Sequence, residues 1–188
     1  MSKTKSFTPD IELIAQVRAG NTQAFGEIVS KYQIKVVSVV RNMLGANVAV
    51  EDVVQEVFMR FYQSIHQFRG DAQLATYLTR IAMNLSLNEL ARSKRRSWLY
   101  FFHKNDEASP VLQIADTVLP SPDSDLKESI DKALQQLSTE MRAVVVLRLV
   151  QGYSTEETAQ ILDIPYGTVL SRLNKARGLL QEQLVDYR

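Results

Sequence analysis

The sequence has no cysteine and only two histidines, and these shortages limit the chemistry that the chain could perform. Without cysteine it cannot form a disulfide scaffold or a thiolate metal site, which fits a reducing compartment. His66 and His103 are the only histidines, no serine or lysine lies in a recognisable nucleophile setting, and no glycine-rich phosphate loop is present. We therefore expect no enzyme activity, no catalytic residue, no cofactor and no bound metal.

Long apolar runs are also missing. No basic leader followed by an apolar core opens the chain, and no run approaches the roughly 20 residues that a membrane-spanning helix requires. We expect a soluble, cytoplasmic protein without direct membrane insertion. The 22 basic and 21 acidic residues almost cancel, so their local distribution is more informative than their sum. With 45% hydrophobic residues among 188, the chain can build the cores of one or two small domains.

The stretch from Ser154 to Leu184 predicts two short helices joined by a tight turn. Ser154 and Glu157 form a capping box that starts the first helix. Asp163-Ile164-Pro165 ends it, because proline lacks an amide donor and disfavours a helical residue before it. The second helix begins at Tyr166, with apolar residues at helical spacing. This layout is that of a helix-turn-helix, whose second helix enters the major groove of DNA.

A helical hairpin with a merely solvated outer face is the alternative, and spacing alone does not separate the two interpretations. Charge favours the DNA-binding one. The second helix carries Arg172, Lys175 and Arg177 and has no acid before Glu182. It can therefore approach phosphates without like-charge repulsion.

The first half of the chain predicts four helices. Thr8 is the expected cap of the first, with Pro9 at its first helical position and Gly20-Asn21 at its end. The other three are expected at Gln23 to Leu44, Val50 to Ile65 and Gln73 to Arg96, with a loop at Phe68 to Asp71.

The helix from Val50 carries clustered acids at Glu51, Asp52 and Glu56, beside Gln55. An oxygen-ligand metal site needs groups converging from more than one segment, and none is evident. We therefore interpret this face as solvated or as binding a partner.

The helix ending at Arg96 places Thr76, Arg80, Asn84 and Asn88 outward and closes with the basic run Arg92 to Arg96. Such a run commonly complements a helix dipole. Together with the preceding aromatics and amides, it also fits a groove that follows a nucleic-acid backbone and stacks bases.

Helical periodicity fails between Ser97 and Asp125, where prolines and serines predict a linker. Its apolar start, Trp98 to Phe102, is expected to dock on a domain or a partner. Helices are expected again at Leu126 to Leu137 and Thr139 to Val150. The predicted fold is all-α, with two small helical domains joined by an extended linker and a helix-turn-helix at the C-terminal end.

Four motifs follow one another along the chain. They are V-E-D-V-V-Q-E-V-F at Val50 to Phe58, F-R-G-D at Phe68 to Asp71, T-Y-L-T-R-I-A-M-N at Thr76 to Asn84, and P-Y-G-T-V-L-S-R-L-N-K-A-R at Pro165 to Arg177. In this order and at these separations they resemble the extracytoplasmic-function group of bacterial sigma factors. The resemblance covers nearly the whole chain, and four linked motifs are more specific than one helix-turn-helix.

The resemblance implies three segments with distinct roles. Residues 1–96 would bind core RNA polymerase and recognise and melt the minus-ten element, with Asp52, Gln55 and Glu56 on the core-binding surface. Residues 97–125 would be a linker that runs toward the polymerase active centre and RNA exit path. Residues 126–188 would read the minus-thirty-five element.

The same resemblance implies which residues meet promoter DNA. A non-template base would be flipped into an aromatic-walled pocket that replaces its lost stacking. The minus-ten contacts are expected from Phe68, Arg69, Tyr77, Arg80, Asn84, Asn88, Arg92, Lys94, Arg95 and Arg96. The minus-thirty-five contacts are expected from Thr168, Leu170, Ser171, Arg172, Asn174, Lys175 and Arg177.

Three residues depart from the family pattern. Tyr77 replaces the usual tryptophan, which keeps an aromatic face of another size. Asp163 stands where the turn usually has glycine, and aspartate tolerates the left-handed conformation better than most residues. Leu170 replaces a common Lys or Arg, so the family's usual minus-thirty-five sequence does not carry over. Leu170 would meet a thymine methyl, or else pack on the preceding helix or face solvent.

A sigma factor acting without chemistry of its own is the leading interpretation, with a stand-alone helix-turn-helix regulator as the alternative. Core polymerase separates them, because a regulator binds its site alone. The resemblance also implies an anti-sigma factor as partner, overlapping the acidic helix at Glu51 to Glu56. No small-molecule substrate is expected.

Overall fold

The computed structural model describes residues 9–45, 49–70, 72–103 and 122–184, and within them it has eight α-helices and no strand. The all-α prediction is confirmed. None of the helices in these ranges is both long and apolar enough to cross a membrane. The helices are α1 Asp10–Arg18, α2 Thr22–Leu44, α3 Val50–Ser64, α4 Leu74–His103, α5 Pro122–Gln136, α6 Thr139–Val145, α7 Thr155–Leu162 and α8 Tyr166–Gln183.

The first helix begins one residue later than its sequence indicates. Pro9 is the cap of α1 and not its first helical residue, and the predicted cap Thr8 lies outside the described residues. The Asp10 carboxylate accepts hydrogen bonds from Lys31 Nζ at 2.7 Å and from the Tyr32 hydroxyl at 2.6 Å. Buried Leu13, Ile14 and Val17 complete the contact of α1 with the bundle.

Helices α2, α3 and α4 pack with α1 around the core of the first half. The Asn21 side chain caps α2 by accepting from the amides of Gln23 and Ala24, and Gly45 ends it with φ of 73°. The side chains sealed completely or almost completely from solvent include Ile28, Val39, Val57, Phe61 and Leu78.

Helix α4 extends seven residues beyond its predicted end at Arg96, as far as His103. The predicted end of this helix at Arg96 is therefore wrong. No proline or glycine interrupts this segment, so the helix propagates through it at little cost. Trp98 and Leu99 are exposed on it, and α5 begins at Pro122, before the predicted Leu126. Residues 104–121, most of the predicted linker, lie outside the described residues.

The second half is a small bundle formed by α5 to α8. The helix predicted from Thr139 to Val150 changes at Val146 into a π-helical turn, Val146–Val150. The helix-turn-helix forms as predicted, with the Ser154 and Glu157 capping box at α7 and Asp163 in the left-handed conformation at φ 53°, ψ 51°. Val169, Leu173 and Ala176 bury the inner face of α8.

The hydrophobic core of the first half extends into the second half, which also has a smaller apolar cluster of its own. Val146, Leu147, Tyr153 and Ile161 of the second half belong to the same buried cluster as the residues of α1 to α4. The buried guanidinium of Arg142 connects the halves, because it donates to the carbonyls of Leu134 and Leu137 and also to that of Met43 at the end of α2. Burial lowers the pKa of this guanidinium, and carbonyls at helix C-terminal ends replace a carboxylate partner.

Candidate nucleic-acid interface

An aromatic cluster lies where the loop after α3 meets the start of α4. A single 3₁₀ turn, Ile65–Gln67, follows α3, and Phe68 comes directly after it. The Phe68 ring packs edge-on against Tyr77 with centroids 5.1 Å apart, and Phe61 lies 6.2 Å from Tyr77 on another side. The Tyr77 hydroxyl also donates to Ser64 Oγ at 3.1 Å. Both Phe68 and Tyr77 are half-buried, so the cluster is a fixed wall.

A cleft of about 530 Å³ opens beside Tyr77. Its lining joins the end of α3 to the beginning of α4, and it presents amides and hydroxyls next to an aromatic ring. Those groups can accept and donate to the edge of a base that stacks on the ring. The sequence predicted Tyr77 as a site residue but not Gln63, Ser64 and Gln67. Their position near the end of α3 is the only feature of the sequence that could have indicated them. The lining residues are Glu56, Arg60, Gln63, Ser64, Gln67, Tyr77 and Ile81.

Arg80, Asn84 and Asn88 form one exposed stripe along α4, because residues four apart lie on the same helical face. Arg92 continues the stripe by one more turn and is also exposed. The first member is engaged within the chain, since Arg80 Nη2 donates to the carbonyl of Gln160 on α7 at 2.9 Å. The stripe therefore contacts the second half through Arg80, its member nearest in sequence to Tyr77.

The basic run at the middle of α4 is exposed but partly neutralised. Glu89 pairs with Arg96 at 2.6 Å and with Arg92 at 3.9 Å. Lys94 Nζ donates to Thr139 Oγ1 at 3.3 Å, at the first turn of α6. Lys94 of the predicted minus-ten surface thus contacts the second half. Arg69 and Arg95 are exposed as well.

The predicted core-binding residues Asp52, Gln55 and Glu56 are all exposed on one face of α3. Glu56 pairs with Arg60 at 2.7 Å, one helical turn further on. A groove of about 690 Å³ separates this acidic face from the basic part of α4, and Asp52, Glu56, Asn88, Arg92 and Arg96 line it. Across the described ranges, no three His, Asp or Glu side chains are placed to hold a metal ion.

Helix α8 presents most of its predicted DNA residues outward. Ser171, Asn174, Lys175 and Arg177 are exposed, and Leu170 is 40% exposed. Leu170 therefore does not pack fully against the preceding helix, and contact with a thymine methyl or exposure to solvent remain as its interpretations. Thr168 is half-buried, and its carbonyl accepts from Ser171 Oγ at 3.1 Å.

Arg172 is half-buried, and its charge acts on Glu140 in the first turn of α6. The pKa of Glu140 there is lowered by its backbone amide and by Ser138, with smaller contributions from Lys94 and Arg172. Arg172 is therefore less accessible than its neighbours on α8, and Lys94 and Arg172 both act on Glu140.

Sequence patterns did not reveal the polar contacts between the halves. The hydroxyls of Thr79 and Tyr153 are 2.9 Å apart in a buried contact, and Lys35 Nζ lies 4.8 Å from the centre of the Tyr153 ring. Gln151 Nε2 donates to Ser38 Oγ at 3.0 Å. The proposed minus-ten and minus-thirty-five surfaces consequently lie on one closed body.

Comparisons with known proteins agree on one family. Residues 28–96 match the family described as Sigma-70 region 2, and residues 127–180 match Sigma-70, region 4. The ECF RNA polymerase sigma-E factor of Haemophilus influenzae is 33% identical over 182 residues, covering 93% of this chain and 95% of the relative. The ECF RNA polymerase sigma factor SigW of Bacillus subtilis is 33% identical over 178 residues, covering 92% and 95%.

Two solved structures share the fold. One is the sigma factor RpoE in complex with the anti-sigma factor NepR from Bartonella quintana, with a TM-score of 0.67 at 24% identity over 87% of this chain and 98% of that one. The other is CnrH in complex with the cytosolic domain of CnrY, with the same TM-score and identity over 94% and 97%.

Proposed function

The chain belongs to the extracytoplasmic-function family of RNA polymerase sigma factors, and from this we propose that it binds core polymerase and directs it to specific promoters. It acts in the cytoplasm by binding alone and performs no chemistry of its own. Two separate exposed surfaces, the α4 stripe beside the aromatic cleft and the outer face of α8, are the observation that supports this function best.

Residues 1–96 form the core-binding and minus-ten domain in this proposal, and residues 126–188 form the minus-thirty-five domain. The family matches at residues 28–96 and 127–180 support these divisions. Asp52, Gln55 and Glu56 bind core polymerase through the exposed face of α3. A flipped minus-ten base enters the cleft beside Tyr77, where the ring supplies stacking and the neighbouring polar groups read its edge.

The closed body must open before both promoter elements are bound. The elements lie about 25 base pairs apart, which is about 85 Å along B-DNA at about 3.4 Å per pair. A compact chain of this length has a radius of gyration of only about 16 Å. Contacts such as Thr79 with Tyr153 and Lys94 with Thr139 therefore break when the halves separate.

An anti-sigma factor is a partner of this chain in our proposal. The two solved structures that share the fold contain RpoE with the anti-sigma factor NepR and CnrH with the cytosolic domain of CnrY. The acidic face of α3 is exposed, so a protein that covers it would compete with core polymerase.

The stand-alone regulator is not favoured, because the relatives that match nearly the whole chain are sigma factors. DNA binding with and without core polymerase tests the choice. We expect labelled promoter fragments to be retarded by the chain together with core and not by either alone. Tight, sequence-specific binding by the chain alone would support the regulator instead.

A further inference from the structure

Arg18, the last residue of α1, holds the loop that carries Phe68. Its Nε and Nη2 atoms donate to the carbonyl of Ile65 at 3.1 and 2.8 Å, and Nη2 also donates to the carbonyl of Phe68. These contacts join residues 47 and 50 positions apart in the sequence. One planar guanidinium therefore fixes both ends of the short segment between α3 and the loop.

The side chain projects from a firmly anchored helix. Asp10 at the other end of α1 binds Lys31 and Tyr32 of α2. Burial, with help from Asp10, raises the pKa of the Tyr32 phenol, which stays protonated and continues to donate. Since the inner side of α1 is also buried against the bundle, Arg18 reaches the loop from a fixed position.

The segment that Arg18 binds has few bonds of its own. The Phe68 amide donates to the Ile65 carbonyl at 3.3 Å, near the long limit for such a bond. Beyond it, Arg69 is exposed and Gly70 takes φ of 81°. The guanidinium adds donors to the Ile65 carbonyl, in the 3₁₀ turn, and to the Phe68 carbonyl, in the loop that follows it. Without it, the backbone of Phe68 is held mainly by the packing of its own ring on Tyr77.

We propose that Arg18 is a positioning residue for promoter opening, which fixes the Ile65–Phe68 backbone so that Phe68 holds the Tyr77 wall of the base-binding cleft in place. The proposal rests on the proposed function. Arg18 does not itself touch DNA in this account; it acts through Phe68. A role confined to helix capping would instead change only the stability of the fold.

The test measures promoter opening by permanganate reactivity of melted thymines, with core polymerase and saturating chain. Arg18→Met removes the donors, and Arg18→Lys keeps the charge but cannot make the two-atom contact. Arg41→Met is the matched control, because Arg41 is an exposed arginine of the same half, in the last turn of α2. Thermal unfolding and core binding are measured for each variant, so that opening is compared among folded, core-bound proteins.

A promoter series separates positioning from stability. In each member one non-template base of the minus-ten element is replaced by an abasic site. On the intact promoter we expect Arg18→Met and Arg18→Lys to open about tenfold more slowly than wild type, the scale of one lost charge-assisted hydrogen bond. On the promoter that lacks the captured base, wild type slows and this ratio falls to about one.

Equal slowing of the variants on intact and abasic promoters would overturn the positioning role, as would wild-type opening rates in both variants. If Arg18→Met does not fold, Arg18→Lys carries the comparison. Failure of wild type to open any promoter with core polymerase is a different outcome, because it would overturn the proposed function and the role of Arg18 with it.

Discussion

The hydroxyl oxygens of Thr79 and Tyr153 lie 2.9 Å apart in a buried contact between residues 74 positions apart. Thr79 belongs to α4, next to the Arg80 stripe, and Tyr153 directly precedes the cap of the helix-turn-helix. Each residue is less than 7% exposed, so this is a buried hydrogen bond between the two halves. If one partner were removed, leaving the other hydroxyl buried without a hydrogen bond would cost the folded state about 1 to 3 kcal/mol.

We predict that Tyr153→Phe shifts the free chain toward separated halves, because Thr79 then keeps a buried hydroxyl without its partner. The sequence has no cysteine, so a chain with two introduced cysteines, one in place of Glu27 and one in place of Gln181, can be labelled specifically with a pair of dyes. Energy transfer between the dyes should fall in Tyr153→Phe and stay unchanged in Tyr32→Phe, which loses a hydroxyl within one half. Equal transfer in all three proteins would show that the contact does not hold the halves together.

Charge reversal at Asp52 and Glu56 is expected to weaken binding to core polymerase at least about tenfold while the fold stays intact. Both side chains are exposed, and the pair of Glu56 with Arg60 contributes at most about 1 kcal/mol to stability. Glu12→Lys, at an exposed residue of α1, is the control. A pull-down with core polymerase measures the effect; undiminished capture of the double variant would remove this face from the interface.

Asn84→Ala and Tyr77→Ala should reduce promoter opening more than closed-complex binding. Asn84 is exposed, so its loss should change stability by less than about 0.5 kcal/mol. Tyr77→Phe separates the ring from its hydrogen bond to Ser64 and should open promoters better than Tyr77→Ala. Permanganate reactivity measures melting, and normal reactivity in both alanine variants would contradict the placement of the base in this cleft.

Arg142→Met is expected to destabilise the fold by about 3 kcal/mol, because several buried carbonyls lose their donor together. The halves should also lose a connection, since one of those carbonyls belongs to Met43. Arg60→Met, whose ion pair is exposed, is the control and should change stability by less than about 1 kcal/mol. Denaturant unfolding measures both, and equal midpoints would show that Arg142 is not a structural centre.

Local signals predicted the parts of this fold that depend on neighbouring residues. The capping box at Ser154 and Glu157 and the stop at Gly45 arise from contacts within one turn, so sequence spacing reveals them. The extension of α4 beyond Arg96 was missed because the consecutive apolar residues Trp98 to Phe102 lack helical periodicity, although none of them breaks a helix.

The contacts that unite the two halves could not be predicted in the same way. The Arg142 guanidinium binds the backbone carbonyl of Met43, and the Thr79 hydroxyl contacts that of Tyr153, so both contacts join residues that are distant in sequence. Neither pair creates a repeating pattern, and Arg142 resembles any charged residue of an amphipathic helix. The same holds for Arg18 and the Phe68 loop, where the family motif marks the loop but not the side chain that holds it.

Substitutions at Leu170 test most directly whether α8 recognises the minus-thirty-five element. It is 40% exposed, one helical turn inside α8, and beside the exposed polar residues Ser171 and Asn174. If it meets a thymine methyl, Leu170→Ala loses discrimination of about 1 to 3 kcal/mol at that position. Leu170→Arg should shift the preference and steepen the salt dependence by releasing about one more counterion. Transcription across a randomised minus-thirty-five library measures both; identical preferences in wild type and Leu170→Ala would show that this side chain reads no base.

Transcription by purified core polymerase on a genomic promoter library tests the central claim most directly. With the wild-type chain, we expect new start sites that share two upstream sequence elements at a fixed separation, and none with core alone. The combined Asp52 and Glu56 reversal should lose these starts, whereas Glu12→Lys should keep them. Absence of new start sites with wild type, or starts without a shared pair of elements, would contradict the assignment of this chain as a sigma factor.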